Sequence, residues 1–338
     1  MSPTLGTELQ PQAVARRKSS FLPGLGRPLQ LIFRWLLGPI VTVLLTSMLI
    51  FAAISLAPGD PIAQVLGSRS TPEQREAMSQ TLGLDDPLPV RYWNWLSDAL
   101  HGDLGLSLTY RQNVTDLLEP RVGTTLTLVL LATIFILVTG IVLGALGGGI
   151  ARLRPVVSFL SGLGIAIPGF VAASALISLF AVKLGWFPTY GAGSGFVDQV
   201  WHLILPAVAL SIGWAAYVAQ ITATAVKEES AREHVETARG RGIPGFTVFR
   251  RHVLRNAAIP ILTVSGLTVA GLVAGSVVVE TAFSIDGIGS LLVKSVSTKD
   301  YSVVTAIAVL IVVVFVLMTT VIDIVQAAID PQMKGGRK

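Results

Sequence analysis

Apolar residues in this chain gather into long runs instead of alternating with polar ones. The runs cover 29–57, 122–150, 156–182, 201–226, 257–281 and 301–328. Each is at least as long as the roughly 20 apolar residues that an α-helix needs to cross the hydrocarbon core of a bilayer. The pattern therefore predicts an all-α membrane protein with six transmembrane helices, five of them in a core over 121–328. In the second run Gly140, Gly144 and Gly148 recur every fourth residue, on one helix face that can admit a close neighbour. Gly271 and Gly275 repeat the spacing in the fifth run. The third run is interrupted at Ile167, Pro168 and Gly169. A proline at membrane depth is tolerated where a neighbour or a water-lined cavity takes up the freed carbonyl.

Two polar segments break this pattern. The first, 58–120, follows a Pro/Gly stop at 57–61. It predicts a short helix over 71–82, opened by Thr71 and Pro72 with Glu73 in its first turn. A second helix over 90–100 carries Tyr92, Trp93 and Trp95, and such aromatics favour the membrane interface. The block reads as an external cap lying on the membrane. The second segment is 227–256. Between Lys227 and Arg255 it holds seven Lys/Arg and four Glu. Residues 227–240 are rich in helix formers and place Glu228 and Arg232 as an i,i+4 pair. Gly240 and Gly242 break that helix, and Pro244 suits the start of another. In this second helix Phe246, Phe249, Val253 and Leu254 share a face, and Asn256 and Pro260 mark the return to the membrane. Composition and spacing leave two readings open: a lever that receives work from a partner, or a basic loop anchored to anionic lipid.

Charge places the ends. Arg27 and Arg34 precede or open the first run, Arg152 and Arg154 follow the second, and Lys334, Arg337 and Lys338 follow the last. The short opposite loops carry only Lys183, Lys294 and Lys299. The positive-inside bias then predicts both termini in the cytoplasm, with 1–28 a disordered tail and 329–338 a second tail. The N-terminus lacks the short apolar region and cleavage pattern of a secretory signal. Only 13% of residues are charged, against about 25% in soluble domains. The net charge of +5 does not point to nucleic acid, because the basic residues flank apolar runs instead of forming a stripe. The chain has no Cys, which rules out disulfides and thiolate metal sites.

The chemistry for an engine is missing. No GxxxxGK[ST] phosphate loop occurs, and His101, His202, His234 and His252 have no metal-binding spacing. No carboxylate pair sits deep in a run: Glu280 lies at the outer end of the fifth and Asp323 near the inner end of the sixth. Ion-coupled carriers usually place ionisable groups near the midplane. Uphill transport by this chain would draw its energy through protein contact, and 227–256 is the sizeable inner surface for it.

Glu236, Thr237 and Ala238, then three residues and Gly242, resemble the EAA-x3-G signature of permease subunits of bacterial binding-protein-dependent ABC importers. TARGRG at 237–242 and RHVLRNAAIP at 251–260 resemble the dipeptide/oligopeptide/nickel branch. So do APGDP at 57–61, LGLDDPLPVRYWNWL at 82–96, HGDLGLSL at 101–108, IPGF at 167–170 and LGWFPTYG at 184–191. LPAVAL at 205–210, ETAFSIDGIG at 280–289, KDY at 299–301 and IDP at 329–331 complete the series. The resemblance runs from about 30 to 332; its order and spacing carry it, since each motif alone is weak. Thr237 departs from the signature's Ala, and Asp286-Gly287 stands where many relatives have Pro-Gly.

The resemblance implies the type I importer permease fold in a multi-pass protein of the bacterial cytoplasmic membrane. It implies a second homologous permease as heterodimer partner, two ATPase subunits that carry ATP and Mg, an extracytoplasmic solute-binding protein, and surrounding lipid. This chain itself would bind no cofactor or metal and catalyse nothing. The ATPase contact would fall on Glu233, Glu236, Thr237, Ala238, Arg239 and Gly242. Pro168, Gly169, Phe170, Pro206 and Glu280 are candidates for the translocation path. Di- and oligopeptides are the expected cargo. Nickel or metal chelates and opines are alternatives within the same importer type, and a stand-alone channel or ion-coupled carrier is the alternative outside it.

Overall fold

The computed structural model describes residues 26–57, 70–81 and 85–329, with isolated positions 62, 66 and 83. The stop at 58–61, most of the N-terminal tail, Leu82 and the basic residues after 329 lie outside the described residues. The chain parts into two compact units, Met1–Gly38 and Pro39–Lys338. Over its described residues the first is helical from Gly26.

Helix α1 (Gly26–Ser55) is followed by two short helices, α2 (Pro72–Thr81) and α3 (Leu88–Leu100). Thr71 and Gln74 close a capping box at the start of α2: the Thr71 N–H donates to Gln74 Oε1 at 3.0 Å, and the Gln74 N–H to Thr71 Oγ1 at 3.3 Å. Backbone N–H bonding, with the Thr71 hydroxyl second, holds the exposed Glu73 carboxyl below the usual range. A two-residue antiparallel ladder follows, β1 (Leu106–Ser107) with β2 (Gln112–Asn113). The remaining elements are helical: α4 (Val114–Gly149), α5 (Arg154–Ala166), α6 (Gly169–Lys183), α7 (Phe196–Ser230), α8 (Glu233–Gly240), α9 (Gly245–Ala282), α10 (Ile288–Ser297) and α11 (Tyr301–Ile329).

Five of these, α1, α4, α7, α9 and α11, contain stretches long and apolar enough to cross a membrane, and α5 with α6 makes a bent sixth. The bend measures 99°. Pro168 sits at the junction, and the helix after it starts with Pro168 extended at φ −61°, ψ 140°. Helix α4 begins eight residues before its apolar run, because Val114, Leu117 and Leu118 bury against Ile288, Leu291, Val303 and Ile307. Local sequence does not announce that partner surface, so the polar residues Asp116 and Glu119 read as loop.

Helices α4 and α7 form the most closely packed pair, and glycine makes the approach possible. A Cβ on Gly140 would lie 2.9 Å from Val218 Cβ, and one on Gly148 would lie 2.6 Å from the Ala223 carbonyl. At Gly144 it would meet Thr222 Cβ at 2.4 Å and the Ala219 carbonyl at 2.6 Å. The same spacing of four puts Leu128, Ala132 and Ile136 in the core. On other faces Leu126, Leu130, Ile134, Val138 and Val142 are exposed, as lipid contact requires. Gly271 meets an aromatic partner instead of a backbone: its Cβ position lies 3.2 Å from the Trp214 ring.

The aromatics of α3 divide. Trp93 is 67% exposed, whereas Tyr92 is 6% exposed and packs edge-on to Phe51 of α1 with ring centroids 5.7 Å apart. Tyr92 Oη shares a 2.8 Å hydrogen bond with Ser47 Oγ and donates to the Leu44 carbonyl at 3.1 Å. Tyr92→Phe should keep the packing, lose both bonds, and lower stability by about 1–2 kcal/mol. The thermal unfolding midpoint of the purified protein measures this, with Trp93→Phe as a silent control.

Candidate functional site: the hinged segment and the central cleft

The hinged segment is built from the end of α7, helix α8 and the start of α9. One helix over 227–240 is not what forms. Helix α7 ends at Ser230, Ala231 turns, and α8 starts again after Arg232, which is extended at φ −74°, ψ 146°. The buried carboxylate of Glu229 organises this break. Asn256 Nδ2 on α9 donates to its Oε1 at 3.0 Å, and Arg232 Nε lies 3.2 Å from its Oε2. The His234 ring lies 3.3 Å from Oε1. Arg232 thus pairs with Glu229 rather than with Glu228, because the helix needed for an i,i+4 pair has ended.

Helix α8 presents two faces. Val235 and Ala238 are buried and pack with Val226, Val248 and Val253. Glu233, Glu236, Thr237 and Arg239 are exposed. The two glutamates lie in the first turn, where the helix dipole favours negative charge. The helix closes with a Schellman motif: the Ile243 N–H donates to the Ala238 carbonyl at 3.3 Å and the Gly242 N–H to the Arg239 carbonyl at 2.9 Å. Gly242 occupies the left-handed position of this motif at φ +75°. Among the described residues, chain neighbours aside, no atom lies within 4 Å of where its Cβ would be. The turn needs glycine for its backbone, and the space beside it is open.

Helix α9 then runs without interruption from Gly245 to Ala282, through Asn256 and Pro260. A wider π-type turn at Phe249–Leu254 inserts one extra residue into its phase. The buried positions are accordingly Val248, Val253, Ala257 and Ile261, spaced five, four and four. Phe246 is 75% exposed, so the apolar face expected through Phe246, Phe249, Val253 and Leu254 is corrected.

At the bend between α5 and α6 a cleft of about 670 Å³ opens, bounded by α7 and α9. Its wall includes Ile167, Gly169, Phe170, Trp214, Tyr217 and Val279. Among the residues proposed for a path, Gly169 and Phe170 line it. Pro168 is exposed beside it, Pro206 is buried within α7, and Glu280 is fully buried at the far end of α9.

Residues 136–335 match the family described as binding-protein-dependent transport system inner membrane component. Residues 28–129 match the family described as the N-terminal part of the binding-protein-dependent transport system membrane component. The chain belongs to this family. As a member it is a multi-pass inner-membrane permease. It is 34% identical over 310 residues to the probable peptide ABC transporter permease protein y4tP of Sinorhizobium fredii, covering 90% of this chain and 98% of the relative. It is 35% identical over 308 residues to the glutathione transport system permease protein GsiC of Escherichia coli K12, covering 90% and 99%. In structure it is similar to a chain of the MetNI methionine ABC transporter, with a TM-score of 0.54 and 20% identity over 63% of this chain and 96% of that one. The fold is that of a type I importer permease.

Two groups in this permease escape the sequence pattern as read above. Glu229 reads as one acid in a charged run, and its bond to Asn256 spans 27 positions. Val235 is legible in hindsight from the i,i+3 repeat with Ala238, which marks the inward face of α8.

Proposed function

We propose that this permease is the channel-forming subunit of an ATP-driven importer for di- and oligopeptides delivered by an extracytoplasmic binding protein. The relatives named for peptide and glutathione transport, each aligned over nearly their whole length, carry this reading. The cleft is compatible with it: its walls are apolar and aromatic, a surface suited to solutes of varied sequence. Two ATPase subunits supply ATP and Mg chemistry, a homologous permease completes the channel, and this chain contributes movement without catalysis. Segment 227–256 faces the cytoplasm with both termini, and the exposed residues Glu233, Glu236, Thr237, Arg239 and Gly242 contact an ATPase. Ala238 holds the helix to the bundle from inside. Segment 58–120 receives the binding protein on the other side.

The test is purification with co-expressed partners, followed by reconstitution. ATP hydrolysis by the assembled complex should rise when its binding protein is loaded with di- or tripeptides or glutathione. Stimulation by a nickel chelate but not by peptides would overturn the cargo. Solute movement by this chain without an ATPase would overturn the importer.

A further inference from the structure

The end of α9 farthest from Gly242 is tied into a closed polar knot. Glu280 is 0% exposed, and its Oε1 accepts from the Thr125 hydroxyl of α4 at 2.8 Å and from the Ser276 hydroxyl at 3.1 Å. Its Oε2 accepts the Ser290 N–H in the first turn of α10 at 3.0 Å. Thr125 Oγ1 also accepts the Ile288 N–H at 3.0 Å, so one hydroxyl bridges α4, α9 and α10. Glycine makes room: a Cβ on Gly287 would approach the Glu280 carboxylate at 2.4 Å, and one on Gly289 would approach Val277 Cα at 2.6 Å. A buried carboxylate is costly unless its oxygens are bonded, and here three donors from three elements satisfy it. The motif at 280–289 therefore builds a joint, not a lining of the cleft.

This joint sits on a rod. Helix α9 is continuous over 38 residues, about 57 Å at the α-helical rise. Its other end, Gly245, follows the Gly242 turn and packs through Val248 and Val253 against α8. We propose that Glu280, with Thr125 as its bridge, is a positioning residue for energy coupling. It makes the ends of α4, α9 and α10 on that side move as one body, so that a partner docked there is sensed at the α8 turn. The inference rests on the coupling role proposed above for 227–256.

The test uses the complete complex with its binding protein loaded with a di- or tripeptide. Thr125→Val preserves volume and removes the hydroxyl that donates to Glu280 and accepts from Ile288. It should leave assembly and basal ATP hydrolysis intact and cut binding-protein stimulation about tenfold, the scale of one charge-assisted hydrogen bond. Thr125→Ser should restore stimulation. Thr127→Val, which removes an exposed hydroxyl bonded only to its own helix, should change nothing. If Thr125→Val fails to assemble, Glu280→Gln provides the same comparison with length preserved. Full stimulation in an assembled Val or Gln variant, while Gly242→Trp has lost it, overturns this inference and leaves the coupling segment standing. Full stimulation in all three overturns both. Equal loss of basal and stimulated activity in the assembled complex also overturns it, since that marks a structural role alone.

Discussion

Gly144→Leu should prevent the permease from accumulating as a folded, monodisperse protein. The space for any side chain at this position is already filled: a Cβ alone would stand 2.4 Å from Thr222 Cβ and 2.6 Å from the Ala219 carbonyl. The first contact is a β-branched side chain of limited rotamer freedom, and the second is backbone, so neither can swing away. Overpacking a core usually costs about 1–3 kcal/mol, and a leucine here adds three further carbons to an approach already closed at the first. In lipid, helices associate largely through such close packing, since apolar surface gains little by leaving lipid for protein. The two helices would separate, and with them the main contact of the bundle. Gly144→Ala should fold with a lowered thermal midpoint. Gly162→Leu is the control, because among the described residues nothing outside its own helix turn lies within 4 Å of a Cβ there. Size-exclusion chromatography and thermal unfolding of the three variants separate the cases. Equal yield and stability for Gly144→Leu and Gly162→Leu would refute the account of the α4–α7 contact.

That contact was legible because it depends on residue size and period alone. Gly140, Gly144 and Gly148 announce a close approach, and Pro168 announces a break, but neither names the partner or the angle. The bend at Pro168 measures 99°, an angle that no sequence period encodes. The hinged segment was legible in outline for the same reason. Gly242 signals a left-handed turn, and the structure supplies one at φ +75°. The break at Ala231 was not legible, since no Gly or Pro marks it and its cause, the Glu229–Asn256 bond, is long-range. A 3.6-residue period misplaces the inward face of α9, because the π-type turn at Phe249–Leu254 shifts every later position by one residue. Glu280 was visible as a lone acid near a membrane end. Its burial behind Gly287 and Gly289 required the chain to fold back on itself, and no periodicity encodes that.

Gly242→Trp should uncouple the permease while leaving it folded. The substitution has two effects that can be separated. At φ +75° a side chain meets its own backbone, a strain of about 1–2 kcal/mol for an L-residue, which Asn tolerates better than others. Among the described residues, chain neighbours aside, nothing lies within 4 Å of the Cβ position. An effect of bulk beyond the strain therefore points to a partner at this open position, which is where the proposed function puts an ATPase. Gly242→Asn carries most of the backbone change and little of the bulk, so it should retain most of the peptide-stimulated ATP hydrolysis of the assembled complex. Gly242→Trp should lose it by an order of magnitude or more, as expected when a packed interface position is blocked. Glu236→Lys tests the neighbouring surface without touching the turn. The residue is exposed, so its reversal costs the fold only the favourable first-turn dipole contact, about 0.3–1 kcal/mol. A fall in stimulation larger than that reports a lost partner contact. Trp and Asn variants with the same residual stimulation would show that the open space beside Gly242 is not an interface. The coupling surface would then have to be sought elsewhere on 227–256.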